Sequence, residues 1–125
     1  MNKEVIILEL GSFIRSLDFI QEEQAFIKTK LTDQLDASND LNILGWIEDM
    51  HQQILNRELA IQLLKNDVQM LDRILKIIPG NKSIGSVQLN LFKNTKQQVQ
   101  YLEQDFFSWK NKINQQLELS NSSTN

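Results

Sequence analysis

The stretch Glu48-Asp49-Met50-His51 has the residue types and the spacing that could hold a metal ion. A glutamate and a histidine three residues apart lie on the same face of an α-helix, so both could reach one ion, as in helical bundles that bind iron through carboxylates. A complete di-iron site needs a second such pair and two further glutamates. His51 is the only histidine in the sequence. The ligand count therefore excludes a di-iron site within one chain.

A mononuclear site is the remaining metal chemistry. If the helix that carries His51 turns back against the preceding helix, His51 lies level with about residue 26, close to Glu22 and Glu23. Glu48, His51 and Glu23 could then act as ligands. We predict instead that His51 makes ordinary hydrogen bonds at the flank of its helix, with no metal and no cofactor. A bundle that binds a metal or small ligand near these residues remains the alternative.

The sequence also lacks the residues and motifs that other kinds of catalysis need. The chain contains no cysteine, which excludes thiolate nucleophiles and thiolate metal sites. It contains no Gly-x-Ser-x-Gly turn for a serine nucleophile. Gly80 and Gly85 lack the spacing of a phosphate-binding loop. We therefore predict that the protein is not an enzyme.

Arg57 interrupts an otherwise apolar series. Nine of the ten residues that recur at spacings of three and four over 47–78 are apolar, and Arg57 is the exception. A buried guanidinium without a partner is very costly. The pairing of neighbouring helices gives three candidate partners, Glu23, Glu103 and Asp105. One polar residue at such a position commonly fixes the register of packed helices. We predict this role for Arg57. We predict the same role for Gln24, the polar residue within the apolar series of the first helix.

A second set of apolar residues lies off the predicted core face. Its members on the first and second helices are Phe19, Phe26, Leu55, Leu59, Leu63 and Met70. An exposed patch rich in Phe, Leu and Met usually marks an interface. Residues 1–10 could fold back over it, a second copy could cover it in a homodimer, or it could receive a helix from another protein. We expect a homo-oligomer or a helical protein partner.

The third helix carries a weakly basic side made of Lys93, Lys96, Lys110 and Lys112. Glu103 and Asp105 interrupt this side. The net charge of −3 and a pI of about 5.1 also argue against attraction to nucleic acid. We expect no nucleic-acid partner, and a regulator that contacts nucleic acid through the third helix is a weaker alternative.

Apolar residues recur at alternating spacings of three and four, which predicts α-helices. Three long helices therefore carry the residues described above. The predicted helices cover about 3–36, 41–78 and 86–119. The first continues through Gly11, although glycine is a poor helix former. Asp40 can cap the second helix, and Pro79 ends it. The polar tail over 120–125 is predicted to be disordered.

Helices of matched length joined by short connections pack as antiparallel neighbours. The predicted fold class is therefore all-α, a single domain over 1–119 forming an up-down-up bundle of three helices with a left-handed, coiled-coil-like seam. The first two segments, 1–37 and 38–78, are acidic, whereas 79–125 carries five basic and three acidic residues. Attraction should therefore hold the third helix against the other two.

No run of the sequence approaches the roughly 18 apolar residues of a membrane helix. We expect no membrane association and a cytoplasmic location, which the absence of cysteine also fits. The sequence predicts a non-catalytic scaffold or adaptor that mediates protein–protein interaction or self-association.

Overall fold

The computed structural model of the chain describes residues 2–80 and 83–123, with side chains up to residue 119. It contains three α-helices: α1 (Lys3–Ala37), α2 (Leu41–Ile77) and α3 (Ser86–Ser123). They are 35, 37 and 38 residues long, or about 52 to 57 Å at 1.5 Å per residue. Across the described residues there is no β-strand. The predicted all-α three-helix bundle is confirmed.

Two long-range hydrogen bonds define the direction of the helices. Lys3, at the start of α1, donates from Nζ to the carbonyl of Ile78, just after the end of α2, at 2.8 Å. Trp109, in the second half of α3, donates from Nε1 to Oε1 of Gln53, in the first half of α2, at 2.7 Å. Each helix is therefore antiparallel to the next, and α1 runs parallel to α3.

The core is one apolar cluster that runs along the bundle. The buried residues keep the spacings of three and four, which favours shallow left-handed crossing. In α1 they are Ile6, Leu10, Phe13, Leu17, Ile20, Gln24, Ile27 and Leu31. In α2 they are Ile47, Ile54, Arg57, Ile61, Leu64, Val68, Leu71 and Leu75. Phe13 stacks on Phe92 of α3, with ring centroids 6.0 Å apart and an interplanar angle of 18°.

Local sequence signals set the helix ends. The Asp40 side chain accepts from the backbone N–H of Asn42 at 2.8 Å, so the predicted cap of α2 is confirmed. Ile78 is extended, with φ −65° and ψ 128°, as expected for a residue that precedes proline. At the start of α3 the Leu89 N–H donates to the Gly85 carbonyl at 3.0 Å.

The N-terminal segment extends α1. Residues 3–10 are helical without a break at Gly11, as predicted. Ile6 and Leu10 are buried in the core. This segment therefore does not fold back over the outer apolar residues of α2, which removes one of the three interpretations of those residues.

The C-terminal helix is longer than predicted. It reaches Ser123, four residues beyond the predicted end at 119, and the disorder of the tail stays a prediction. No proline or glycine follows Gly85 in the sequence, and the helix meets neither of the residues that most strongly disfavour its continuation. Thr124 and Asn125, which complete the predicted tail, lie outside the described residues.

Alanine at Gly11 or Gly45 is expected to raise the free energy of unfolding by about 0.5 to 1 kcal/mol, because alanine is the better helix former. A Cβ at Gly45 would have no atom within 4 Å, and one at Gly11 would lie 3.5 Å from the flexible end of Arg15. Urea unfolding followed by circular dichroism measures the change. A loss of stability in Gly45→Ala would contradict a helical, uncrowded backbone at that position.

Candidate functional site

Arg57 lies at the centre of the bundle with its side chain 8% exposed. Its Nη1 donates to Gln24 Oε1 at 3.0 Å, and its Nη2 donates to Asp105 Oδ2 at 2.9 Å. The guanidinium carbon is 4.6 Å from the centroid of the Trp109 ring, within range of a cation–π interaction. Asp105 is thus the one of the three candidate partners that Arg57 contacts. One residue from each helix meets at this point.

The hydrogen bonds continue from Gln24 to the α1–α2 surface. Gln24 donates to Glu58 at 2.8 Å, and Glu58 also accepts from Gln21 at 3.3 Å. Lys65 donates to Gln21 at 2.5 Å and forms an ion pair with Asp18. We refer to these seven side chains as the polar layer: Asp18, Gln21, Gln24, Arg57, Glu58, Lys65 and Asp105.

The polar layer links side chains of all three helices through hydrogen bonds and ion pairs. The amide of Gln24 is fully buried and is used in both directions, accepting from Arg57 and donating to Glu58. Sliding α1 by one helical turn would break both bonds inside the core, where unpaired polar groups are costly. This geometry supports the predicted role of Arg57 and Gln24 in fixing register, which stays a prediction.

The candidate metal ligands are not assembled. Glu48 is exposed on α2, and Glu23 pairs with Lys110 of α3 at 3.2 Å. His51 is half-buried, and its buried Nε2 has no hydrogen-bond partner in the described part of the chain. The ordinary hydrogen bond predicted for His51 is therefore not made by that atom. Within residues 2–80 and 83–119 there is no group of three His, Cys, Asp or Glu side chains that could hold a metal ion.

The basic side of α3 is partly used within the bundle. Lys96 pairs with Glu9, and Lys110 pairs with Glu23, each at 3.2 Å. These pairs lie two heptads apart on both helices, so they follow one stripe along the parallel α1–α3 contact. Trp109 is buried in the core. Two of the four lysines thus pair with acidic residues of α1, as the charge difference between the segments predicts.

The outer apolar residues are exposed but do not form one face. Phe19 lines a cavity of about 300 Å³ between α1 and α3, together with Phe107 and Glu103. Phe26 lies seven residues further along α1 and therefore on the same side, where Lys30 Nζ is 4.6 Å from the centroid of its ring. This side of the bundle is bordered by charged residues.

Three leucines on α2 form a ridge of residues four apart. Leu55 lies three residues before Glu58 and therefore on the side of α2 that faces α1. Leu59 is the outermost of the three, and Leu63 lies on the side of α3, where it lines a cavity. Leu55 and Leu63 are both 59% exposed, although they lie on different sides of the helix.

A largely apolar depression follows the contact between α2 and α3. It consists of two cavities, of about 530 and 180 Å³, that share Asp67 and Gln98. We call the combined depression the α2–α3 groove. Its lining residues from α2 are Ala60, Leu63, Leu64, Asp67, Met70, Leu71 and Ile74. Those from α3 are Leu91, Asn94, Thr95, Gln97, Gln98, Tyr101 and Leu102.

The groove is open because the residues that border the α2–α3 contact are shorter than those that border the α1–α2 contact. Between α1 and α2 the edge positions hold long polar residues, such as Gln21 and Lys65, that hydrogen-bond across the contact. On the α3 side of α2 the corresponding edge holds Ala60 and Asp67. Alanine is too short to reach α3, so the core residues Leu64 and Leu102 form the floor of the groove.

The walls of the groove expose large apolar side chains with little charge. Tyr101 is 71% exposed, and Leu63 and Met70 are also exposed. Asp67 is the one charged residue among the lining residues that the structure describes. The core of a protein–protein interface is likewise depleted in charge and enriched in aromatic residues and methionine.

Sequence reasoning did not place Leu91 or Tyr101 in a site. On the outer side of α3, residues 90, 97, 104 and 111 are seven apart and are all Asn or Gln. The solvent face of a helix carries charged or other polar residues, so these amides do not distinguish a binding surface from a solvated one. The sequence therefore held no specific signal for Leu91 or Tyr101.

Comparisons with protein-family models, with curated proteins and with solved structures find no match to this chain. Among the described residues, none of the helices combines the length and the apolar character that crossing a membrane requires.

Proposed function

We propose that this chain is a non-catalytic helical-bundle protein that binds an apolar helical surface of a protein partner in the α2–α3 groove, as a small scaffold or adaptor. The observation that carries the proposal is the groove itself, which is apolar, exposed and lined by one charged residue. An amphipathic helix that lies in a groove between two helices is a common mode of peptide recognition.

The energetics of the groove support such a contact. Full burial of a leucine or methionine side chain contributes about 1.5 to 3 kcal/mol. Leu63 and Met70 are each about half exposed, so covering them would contribute about 1 kcal/mol apiece. Tyr101 offers a larger apolar surface with a hydroxyl at its tip, and tyrosine is enriched at binding hot spots.

The ion pairs between the helices support a structural role. The largely buried side chains of Arg57 and Lys65 pair with Asp105 and Asp18, which are each about half exposed. The absence of catalytic function and the cytoplasmic location stay predictions from the sequence.

A single-cysteine photocrosslinker tests the proposal. The chain has no cysteine, so Leu63→Cys gives one attachment point at the groove. In lysate of the native cells we expect it to cross-link to a helical segment that mass spectrometry identifies. Leu55→Cys is the matched control, because Leu55 is equally exposed on the same helix but faces away from the groove. Equal cross-linking from both positions, or none from Leu63→Cys, would contradict the proposal.

A further inference from the structure

We infer that a second cavity between α2 and α3, beside Asp105 of the polar layer, binds a small planar aromatic acid. The cavity has a volume of about 340 Å³. Cavities that hold small ligands commonly measure about 300 to 1,000 Å³, so this one admits a molecule of one or two fused rings. It shares no lining residue with the α2–α3 groove, and binding here is therefore independent of the proposed function.

The apolar walls of the cavity are largely aromatic. The sequence contains two tryptophans, Trp46 and Trp109, and both line this one cavity, together with Met50 and Ile113. Planar rings pack against tryptophan in offset-stacked or edge-to-face arrangements, and the sulfur of methionine also makes favourable contacts with aromatic rings. The walls therefore fit a ligand that carries an aromatic ring.

The ring of Trp109 is held in place by three neighbours. Its Nε1 donates to Gln53 Oε1 at 2.7 Å. Its centroid lies 4.6 Å from the guanidinium carbon of Arg57 and 6.0 Å from the centroid of the Phe106 ring. A wall fixed in this way does not have to be ordered when a ligand binds, which lowers the entropic cost of binding. Because Arg57 already makes a cation–π contact with this ring, a cationic ligand would meet a like charge nearby.

The charges at the two ends of the cavity favour an acidic group at one of them. Asp105 and Lys112 both line the cavity and are about 10 Å apart along α3 at 1.5 Å per residue. The Asp105 carboxylate already pairs with Arg57 at 2.9 Å. Lys112 takes part in none of the ion pairs between described side chains, and Ser108, one turn before it, offers a hydroxyl donor. The acidic group of the ligand therefore pairs with Lys112, while its ring packs against the tryptophans.

Nuclear magnetic resonance of the two tryptophan indole N–H groups tests the site, with naphthoate as the probe. We expect both resonances to shift with a Kd of about 1 mM, the affinity that a molecule of this size reaches at ordinary ligand efficiency. Naphthamide should bind about threefold more weakly, because it lacks the charge, and naphthylmethylammonium more weakly still. Fixed resonances at several times that naphthoate concentration, or equal affinities for the three probes, would overturn the inference.

Lys112→Gln should weaken naphthoate binding about threefold, as expected for the loss of an exposed ion pair, and leave naphthamide binding unchanged. Lys93→Gln is the matched control, because Lys93 is also an exposed lysine of α3 but does not line the cavity. It should bind naphthoate as wild-type protein does. Equal affinities of the two variants for naphthoate would contradict the pairing of the acid with Lys112.

Trp46→Ala removes one aromatic wall and should weaken both naphthoate and naphthamide about 10-fold. The remaining indole resonance, from Trp109, reports the binding. Circular dichroism should show unchanged helicity, because Trp46 is only partly buried. Wild-type affinity in a folded Trp46→Ala variant would place the probes elsewhere on the protein and overturn the inference.

Discussion

Asp105→Ala is expected to lower the free energy of unfolding by about 2 to 3 kcal/mol. The substitution leaves Arg57, which is 8% exposed, without its carboxylate partner. Removal of one member of a fully buried pair costs about 3 to 5 kcal/mol. The expected value is smaller because the Asp105 side chain is 49% exposed, so water already screens part of the interaction. Urea unfolding at one fixed protein concentration measures the loss.

Asp49→Ala is the matched control, because Asp49 is an exposed aspartate on α2. Its effect should stay within about 0.5 kcal/mol. Adding Arg57→Met to Asp105→Ala should recover part of the lost stability, since the uncompensated buried charge is then gone. A double variant no more stable than Asp105→Ala alone would contradict the ion pair as the cause.

Phe106→Ala is expected to lower the free energy of unfolding by about 3 to 5 kcal/mol, as for other large-to-small substitutions in a core. Phe106 is fully buried, and its ring packs 6.0 Å from that of Trp109. The substitution opens a cavity beside the guanidinium of Arg57, which lies 5.8 Å from the Phe106 ring. Thermal and urea unfolding both measure the change.

Phe107→Ala is the control at the next residue. Phe107 is 44% exposed on the α1–α3 side, where its ring meets that of Phe106 edge-on at 5.7 Å. Its loss should cost about 1 kcal/mol, since a half-exposed side chain contributes less burial and leaves no closed cavity. Equal losses at the two positions would contradict the orientation of α3 in the bundle.

The core could be predicted from the sequence because a period near 3.6 defines the buried face of each helix without reference to its neighbours. Arg57 and Gln24 stood out by the same logic, as polar residues on an apolar face. The structure buries both residues and joins them by a hydrogen bond. Ile6 was harder to place, because Gly11 left the start of α1 uncertain.

Counting along antiparallel helices misplaced the contacts by about one turn. The count that sets His51 level with about residue 26 also implies that Arg57 is level with Ile20, yet the partner of Arg57 on α1 is Gln24. Side chains on a helix lean toward its N-terminus. In an antiparallel pair the side chains of the two helices lean in opposite directions. Side chains that meet therefore come from residues that lie closer to the C-terminus of each helix than the residues whose backbones are level. The same shift moves His51 away from Glu23 and thereby separates the candidate metal ligands.

The division of the outer apolar residues could not be predicted. A third helix can lie on either side of an α1–α2 hairpin, and the heptad pattern is the same in both arrangements. The choice decides whether Leu63 or Leu55 borders α3. In the structure it is Leu63, and Phe19 borders α3 on the other side. A single patch across α1 and α2 therefore becomes two separate surfaces.

The backbone amide resonances of isotopically labelled protein, recorded before and after addition of the partner segment that Leu63→Cys captures, test the α2–α3 groove as the interaction surface most directly. We predict that the resonances that shift belong to 59–77 of α2 and 87–104 of α3, while those around Phe19 and Phe26 stay fixed. Shifts confined to the α1–α3 side, or no shifts at saturating partner, would contradict binding in the groove.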